Sequence, residues 1–149
     1  MKKYGNSWQR NDVFDLSVIV DIIFEDGLLF ISIRNLSDEP AFKVSIEFDK
    51  KIIGVDGRKE ISALPLFRNI EFLAPYKEIK TFLDSCQSYF SNKHSSSRRS
   101  HAGQPEKISV KISYRNKGGK LISGIINHDL GIYKEIGYIR IVDEKEKAK

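Results

Sequence analysis

Residues 14–34 read FDLSVIVDIIFEDGLLFISIR, and the alternation in this stretch decides the fold class. Phe14, Leu16, Val18, Val20, Ile22 and Phe24 fall on one parity, against Asp15, Ser17, Ile19, Asp21, Ile23 and Glu25 on the other. A period of two belongs to an extended chain, whose side chains point to opposite faces in turn, so the run predicts a long strand with one buried face. Asp26-Gly27 is a tight-turn dipeptide suited to a two-residue hairpin. Leu29, Ile31 and Ile33 then alternate with Phe30, Ser32 and Arg34, and the two runs together predict an antiparallel hairpin.

The same grammar continues downstream. Asn35 to Pro40 is a loop of turn formers, after which Phe42, Val44, Ile46 and Phe48 alternate with Lys43, Ser45, Glu47 and Asp49 in a third strand. Gly54 to Glu60 breaks the pattern. Ile70 and Phe72 then share one face of a short strand at a sheet edge, and Ala74-Pro75-Tyr76 turns the chain into a fifth strand through Ile79, Thr81 and Leu83. Ile108, Val110, Ile112 and Tyr114 alternate with Ser109, Lys111, Ser113 and Arg115. The Gly-rich turn Asn116 to Lys120 leads into a partner strand from Leu121 to Ile126. Beyond Asp129 the apolar spacing reads equally as a short C-terminal helix or an extended strand. By periodicity Phe14, Phe24, Phe42, Phe48 and Phe72 are all predicted core, and Trp8 is either a lid on the sandwich edge or a partner anchor.

Strands joined by hairpin chemistry rather than by helices predict an all-β fold, a single antiparallel immunoglobulin-like sandwich of about seven to eight strands. One domain spanning 1–149 is expected, with its core at about 13–142, a mobile serine-rich loop at 91–105 and a frayed tail at 143–149. Two segments carry a family likeness. Ile33 to Val44 (IRNLSDEPAFKV) resembles the strand-loop-strand of immunoglobulin-like domains of the CARDB and NEW3 type, and Phe72 to Ile79 (FLAPYKEI) resembles their turn before a later strand, with Tyr76 where such turns carry Gly. The resemblance implies an immunoglobulin-like sandwich serving as a non-catalytic module.

Charge is distributed unevenly. Residues 91–128 hold Lys93, Arg98, Arg99, Lys107, Lys111, Arg115, Lys117 and Lys120 against Glu106 alone, so the chain's net +5 arises there. Lys107, Lys111 and Arg115 share the outward parity of their strand with Ser109 and Ser113, which predicts a basic stripe joining the serine-rich loop to the Gly hairpin. Such a stripe fits an anionic partner, whether acidic protein or nucleic acid, or guards a strand edge. Tyr89 and Phe90 stand at the loop entrance, either as aromatic contacts for nucleic-acid bases or as the apolar end of a strand.

Catalytic signatures are absent: there is no G-x-S-x-G, no P-loop, no G-x-G-x-x-G and no H-E-x-x-H. Cys86 is the only cysteine, so no intrachain disulfide forms, and a lone cysteine reads as a packing residue before a nucleophile. His94, His101 and His128 match no zinc spacing, and no metal or other cofactor is expected. The N-terminal residues have lysines but no apolar stretch behind them, and no run approaches the ~20 apolar residues of a membrane span. The expectation is cytoplasmic, without a transmembrane segment. Asn35-Leu36-Ser37 matches the glycosylation triplet, which carries no meaning without export. The function expected is a non-catalytic interaction module binding a protein partner through a sheet face or loop tips. The alternative is a nucleic-acid-binding accessory protein using residues 93–120, and an enzyme built around Cys86 is the third reading.

Overall fold

The computed structural model describes residues 16–91 and 104–136. In chain order the strands are β1 (Val18–Glu25), β2 (Leu28–Asn35), β3 (Ala41–Phe48), β4 (Ile53–Gly54), β5 (Lys59–Glu60), β6 (Ile70–Leu73), β7 (Glu78–Ser85), β8 (Lys107–Arg115) and β9 (Leu121–Asp129). A three-stranded sheet in the order β1-β2-β7 packs on a four-stranded sheet in the order β6-β3-β8-β9, with β4 and β5 as a separate ribbon. Every pairing is antiparallel, as the hairpin chemistry predicts. Leaving the β4–β5 ribbon aside, the fourth strand in the chain, β6, lies beside the third, whereas the constant-type immunoglobulin arrangement keeps its fourth strand with the first two. After β9 the chain enters a 3₁₀ turn, Leu130–Tyr133, and continues helically over 134–136, so residues 130–136 are helical rather than extended.

The opening stretch folds as its alternation predicts. Val18, Val20 and Ile22 are buried against Leu29, Ile31 and Ile33, and Asp26 and Gly27 make the turn with φ of 50° and 81°. Both inner faces meet in one core that includes Val44, Ile46, Leu83, Ile108, Val110, Ile112 and Tyr114. Phe14 and Trp8 lie outside the described residues.

The third strand departs from the prediction. Lys43 has φ of 52°, and the register against β8 shifts between Phe42 and Ser45, so that two residues of β3 oppose one of β8. This β-bulge reverses parity, because one extra residue moves every side chain on its far side to the other face. Phe42 therefore leaves the row of Val44 and Ile46 and stands outward opposite Arg115, while Ala41 takes its place inside. β6 follows the switch: Ile70, opposite Val44, packs on the core, but Phe72, opposite Phe42, is 57% exposed. The assignment of Phe42 and Phe72 to the core is thus corrected by a single backbone irregularity.

Two sets of polar contacts hold the sheets together. On one side Tyr114 Oη accepts from the Ser17 N–H at 2.8 Å, and Tyr133 Oη donates to the Ile22 carbonyl at 3.3 Å. His128 Nε2 lies 2.9 Å from the Val20 carbonyl. A carbonyl has no proton, so this nitrogen is the donor. On the other side Asn35, 1% exposed, gives its Nδ2 to the carbonyls of Glu39, Leu73 and Ala74 and receives the Ser37 N–H and hydroxyl on Oδ1. One buried amide thereby ties the β2–β3 loop to the β6–β7 turn, and it leaves no room for a glycan.

That turn is strained. Pro75 and Tyr76 are its central residues, the Lys77 N–H returns to the Ala74 carbonyl at 3.1 Å, and Tyr76 has φ of 60°. This is the type II geometry, whose third position favours Gly. Replacing Tyr76 with Gly is expected to keep or raise stability, by up to about 1 kcal/mol, whereas Tyr76→Ala leaves a Cβ in the left-handed region and gains nothing. Asn35→Ala, which removes the amide's bonds to three carbonyls and to Ser37 from a buried position, is expected to cost about 2–4 kcal/mol. Urea unfolding of the three variants checks both expectations.

Candidate functional site

The outer face of the four-stranded sheet can be followed row by row through its register. Phe72, Phe42, Arg115 and Leu121 form one row across β6, β3, β8 and β9. Ser45, Ser113 and Ser123 form the next, then Glu47, Lys111 and Ile125, and at the far end Lys107 faces Asp129. The predicted stripe of Lys107, Lys111 and Arg115 is present with outward parity. β8 lies between β3 and β9, however, so these cations do not guard a sheet edge.

Their surroundings separate them. Lys107 has Asp129 as its cross-strand partner and Lys111 has Glu47, acids brought in by β9 and β3. Arg115 has Phe42 on one side and Leu121 on the other. Its guanidinium donates one N–H to the Gly119 carbonyl at 3.0 Å, which holds the side chain against the hairpin. In the same turn Asn116 Oδ1 accepts the Lys120 N–H, and Lys117 and Lys120 are exposed. Lys93, Arg98 and Arg99 lie outside the described residues, as do His94 and His101.

The apolar members of the row are accessible. The Phe42 and Phe72 rings sit 5.6 Å apart, and Phe72 and Leu121 are each 57% exposed. Beside them Lys43 Nζ pairs with Glu71 at 3.2 Å, and Asn69 donates to the same carboxylate at 2.7 Å. The Asn69 hydrogen bond and the Lys43 cation hold the Glu71 carboxyl below its ordinary range. Periodicity missed this row because it placed both phenylalanines inside.

The aromatic pair expected at the loop entrance is elsewhere than the stacking reading requires. Tyr89 is fully buried, with its hydroxyl donating to the Pro105 carbonyl at 2.7 Å, and burial pushes its phenol far above the usual range. It is therefore not free to stack on a base. Phe90 is half-buried edge-on to Tyr89 at 5.1 Å, with Lys134 Nζ 5.6 Å from its ring and ion-paired to Glu106.

Cys86 opens the short helix α1 (Cys86–Tyr89) and is buried, its Sγ 3.4 Å from the Tyr133 carbonyl; burial pushes the thiol up to about 11. At neutral pH it is a protonated packing group. Asp84 nearby is 3% exposed, and its Oδ1 accepts the N–H groups of Asp56 and Ser85 at 3.1 and 2.9 Å. Those bonds hold a turn in which Val55 and Asp56 have φ of 53° and 59°. Gly54 is required here, since a Cβ would collide with the Leu83 carbonyl. Among the described residues no group of three or more His, Cys, Asp or Glu is placed to hold a metal.

A groove of about 330 Å³ at the far end of the sheet is lined by Lys50, Lys107, Ile108, Ser109, Asn127, His128 and Asp129. Much of its polarity is engaged internally: Lys50 Nζ donates to the Lys107 carbonyl, Ser109 Oγ to Asn127, and Asp129 accepts the Gly131 N–H. The Phe72 to Leu121 row, with its cation lacking a facing acid, is the better candidate. Among the described residues no helix is long and apolar enough to cross a membrane.

A family model described as a domain of unknown function, DUF8453, matches residues 15–134, the span from the entry to β1 through the 3₁₀ turn after β9. The chain belongs to this family. No curated protein matches it.

Burial raises the Asp84 carboxyl above its ordinary value, with the hydrogen bonds from Asp56, Ser85 and Ser88 opposing. Between the unfolded and folded values the native state binds the extra proton, so stability falls as pH rises through that window. Asp84→Asn keeps an Oδ1 acceptor and removes the charge. Its unfolding free energy is expected to equal or exceed the native protein's at neutral pH and to lack that downward slope, measured from about pH 4 to pH 7.

Proposed function

We propose that this member of the DUF8453 family is a non-catalytic interaction module that binds a protein partner through the outer face of its four-stranded sheet. The observation that carries this reading is the row Phe72, Phe42, Arg115 and Leu121, two exposed apolar side chains flanking an aromatic and an arginine. Binding hot spots favour aromatic residues and Arg over Lys and Ser, because a large rigid side chain buries area at little entropic cost. The strained bulge at Lys43 supports the same reading, since bulges recur where a strand must re-aim a side chain.

The likeness to CARDB and NEW3 type domains belongs to this proposal. Its support is that the two segments carrying the likeness are joined by the Asn35 amide, through the carbonyls of Glu39, Leu73 and Ala74. A cytoplasmic setting is part of the same reading, in keeping with a lone buried, protonated thiol. The nucleic-acid alternative has less support, because Lys107 and Lys111 each face an acid and Tyr89 is buried.

Cross-linked partner capture from the native host, run with the wild-type chain and with Phe72→Ser plus Leu121→Ser, tests the reading. Both positions are exposed, so the double variant is expected to unfold within about 0.5 kcal/mol per site of the wild type. It should lose its protein partner by at least about 2 kcal/mol, roughly thirtyfold in affinity. Lys107→Glu is expected to leave capture unchanged. A partner that survives the double change, or a nucleic-acid complex that salt dissociates steeply, would count against this function.

A further inference from the structure

Resting on that reading, we infer that the segment bound by the row is acidic, with a carboxylate seated on Arg115 between apolar side chains that cover Phe72 and Leu121. Of the three outward cations of β8, Lys107 and Lys111 each have an acid as the register partner on the neighbouring strand, a placement that favours opposite charges. Arg115 has apolar partners on both sides and spends one N–H on the Gly119 carbonyl. Its planar fork is thereby fixed in place while donors remain for a bidentate carboxylate.

Among the described residues the neighbourhood adds no competing anion of its own. Between Lys107 and His128 the β8–β9 hairpin contains no Asp or Glu, and Lys117 and Lys120 are exposed in its turn, immediately before Leu121. Glu71, beside Phe72 on β6, is already occupied by Lys43 and Asn69. The positive charge at this end of the sheet is therefore left for a partner to neutralise.

Size and symmetry narrow the occupant. Four strands separate Phe72 from Leu121 by three inter-strand spacings, about 14 Å, which is some four residues of strand or about nine of helix. A short segment suffices. A second copy of this chain suits the face poorly, because a two-fold that stacks sheet on sheet with β8 over β8 lays Lys107, Lys111 and Arg115 against their own copies. A bare phosphate ligand would neutralise Arg115 and leave Phe72 and Leu121 uncovered.

Selection of a displayed library of random twelve-residue peptides on the purified chain tests the inference. Recovered peptides are expected to carry Asp or Glu flanked by large apolar residues, and to bind at least tenfold more weakly to Arg115→Glu and to Phe72→Ser. Circular dichroism and melting confirm that both variants are folded. Selection on Arg115→Glu should return Lys or Arg in place of the acid. Peptides that depend on Phe72 but carry no acid, or that bind Arg115→Glu undiminished, would overturn the acidic partner while leaving the face as the binding surface. If no recovered peptide depends on Phe72 or Leu121, the acidic partner and the binding face both fall. Retention of a mixed DNA and RNA pool that Arg115→Glu abolishes would replace the carboxylate with phosphate.

Discussion

The left-handed backbone of Lys43 is the constraint on which the functional face depends. One residue at φ of 52° lets β3 carry an extra position against β8, and everything on the Phe42 side of it changes face. A lysine in that conformation costs about 1 kcal/mol or more, since its Cβ crowds the following carbonyl. The strain is offset by what surrounds it: Ala41 and Val44 on either side are both buried, and Lys43 itself reaches Glu71 across the pair. Phe72, exposed, and Phe42, half-buried, are thereby turned outward as a pair, beside the one outward cation of β8 without a facing acid.

A face is useful for binding only if the strands presenting it do not move. Here the two ends of the sandwich are secured by different means. At the β1 and β9 side the link is made by long side chains, with His128, Tyr133 and Tyr114 reaching backbone groups of Val20, Ile22 and Ser17. These contacts also occupy carbonyls that an exposed β1 edge would offer to another chain. At the β6 side the link is the Asn35 amide, and it sits directly behind the row, since its acceptors include the carbonyls of Leu73 and Ala74 just past Phe72. A buried amide with its donors and acceptor all used is rigid, because any shift leaves a polar group unpaired.

Much of the fold was legible in the residues themselves. The β1–β2 hairpin, the buried parity of Ile108 to Tyr114, the outward parity of Lys107 to Arg115 and the edge position of β6 all follow from period-two alternation and turn chemistry. Asn35 was readable only as a turn former, since which carbonyls it meets depends on a turn some forty residues away. Nor could the acids facing Lys107 and Lys111 be seen, because Asp129 and Glu47 come from other strands. Tyr89 read either as an aromatic contact or as the apolar end of a strand, and the packing of the short helix α1 made it core.

By itself, then, the sequence determined the layers: alternating apolar residues must be buried on one face, and that need holds whatever the strands pair with. The tertiary structure decided which face each residue beyond the bulge occupies, and which cation keeps its charge for a partner. The physical reason is that parity is a local property, reset by a single irregular φ, whereas electrostatic pairing is set by register between strands distant in sequence. Among the described residues, the charge asymmetry visible along residues 91–128 therefore leaves Arg115 and the hairpin beside it without a facing acid, with apolar companions supplied by β3, β6 and β9.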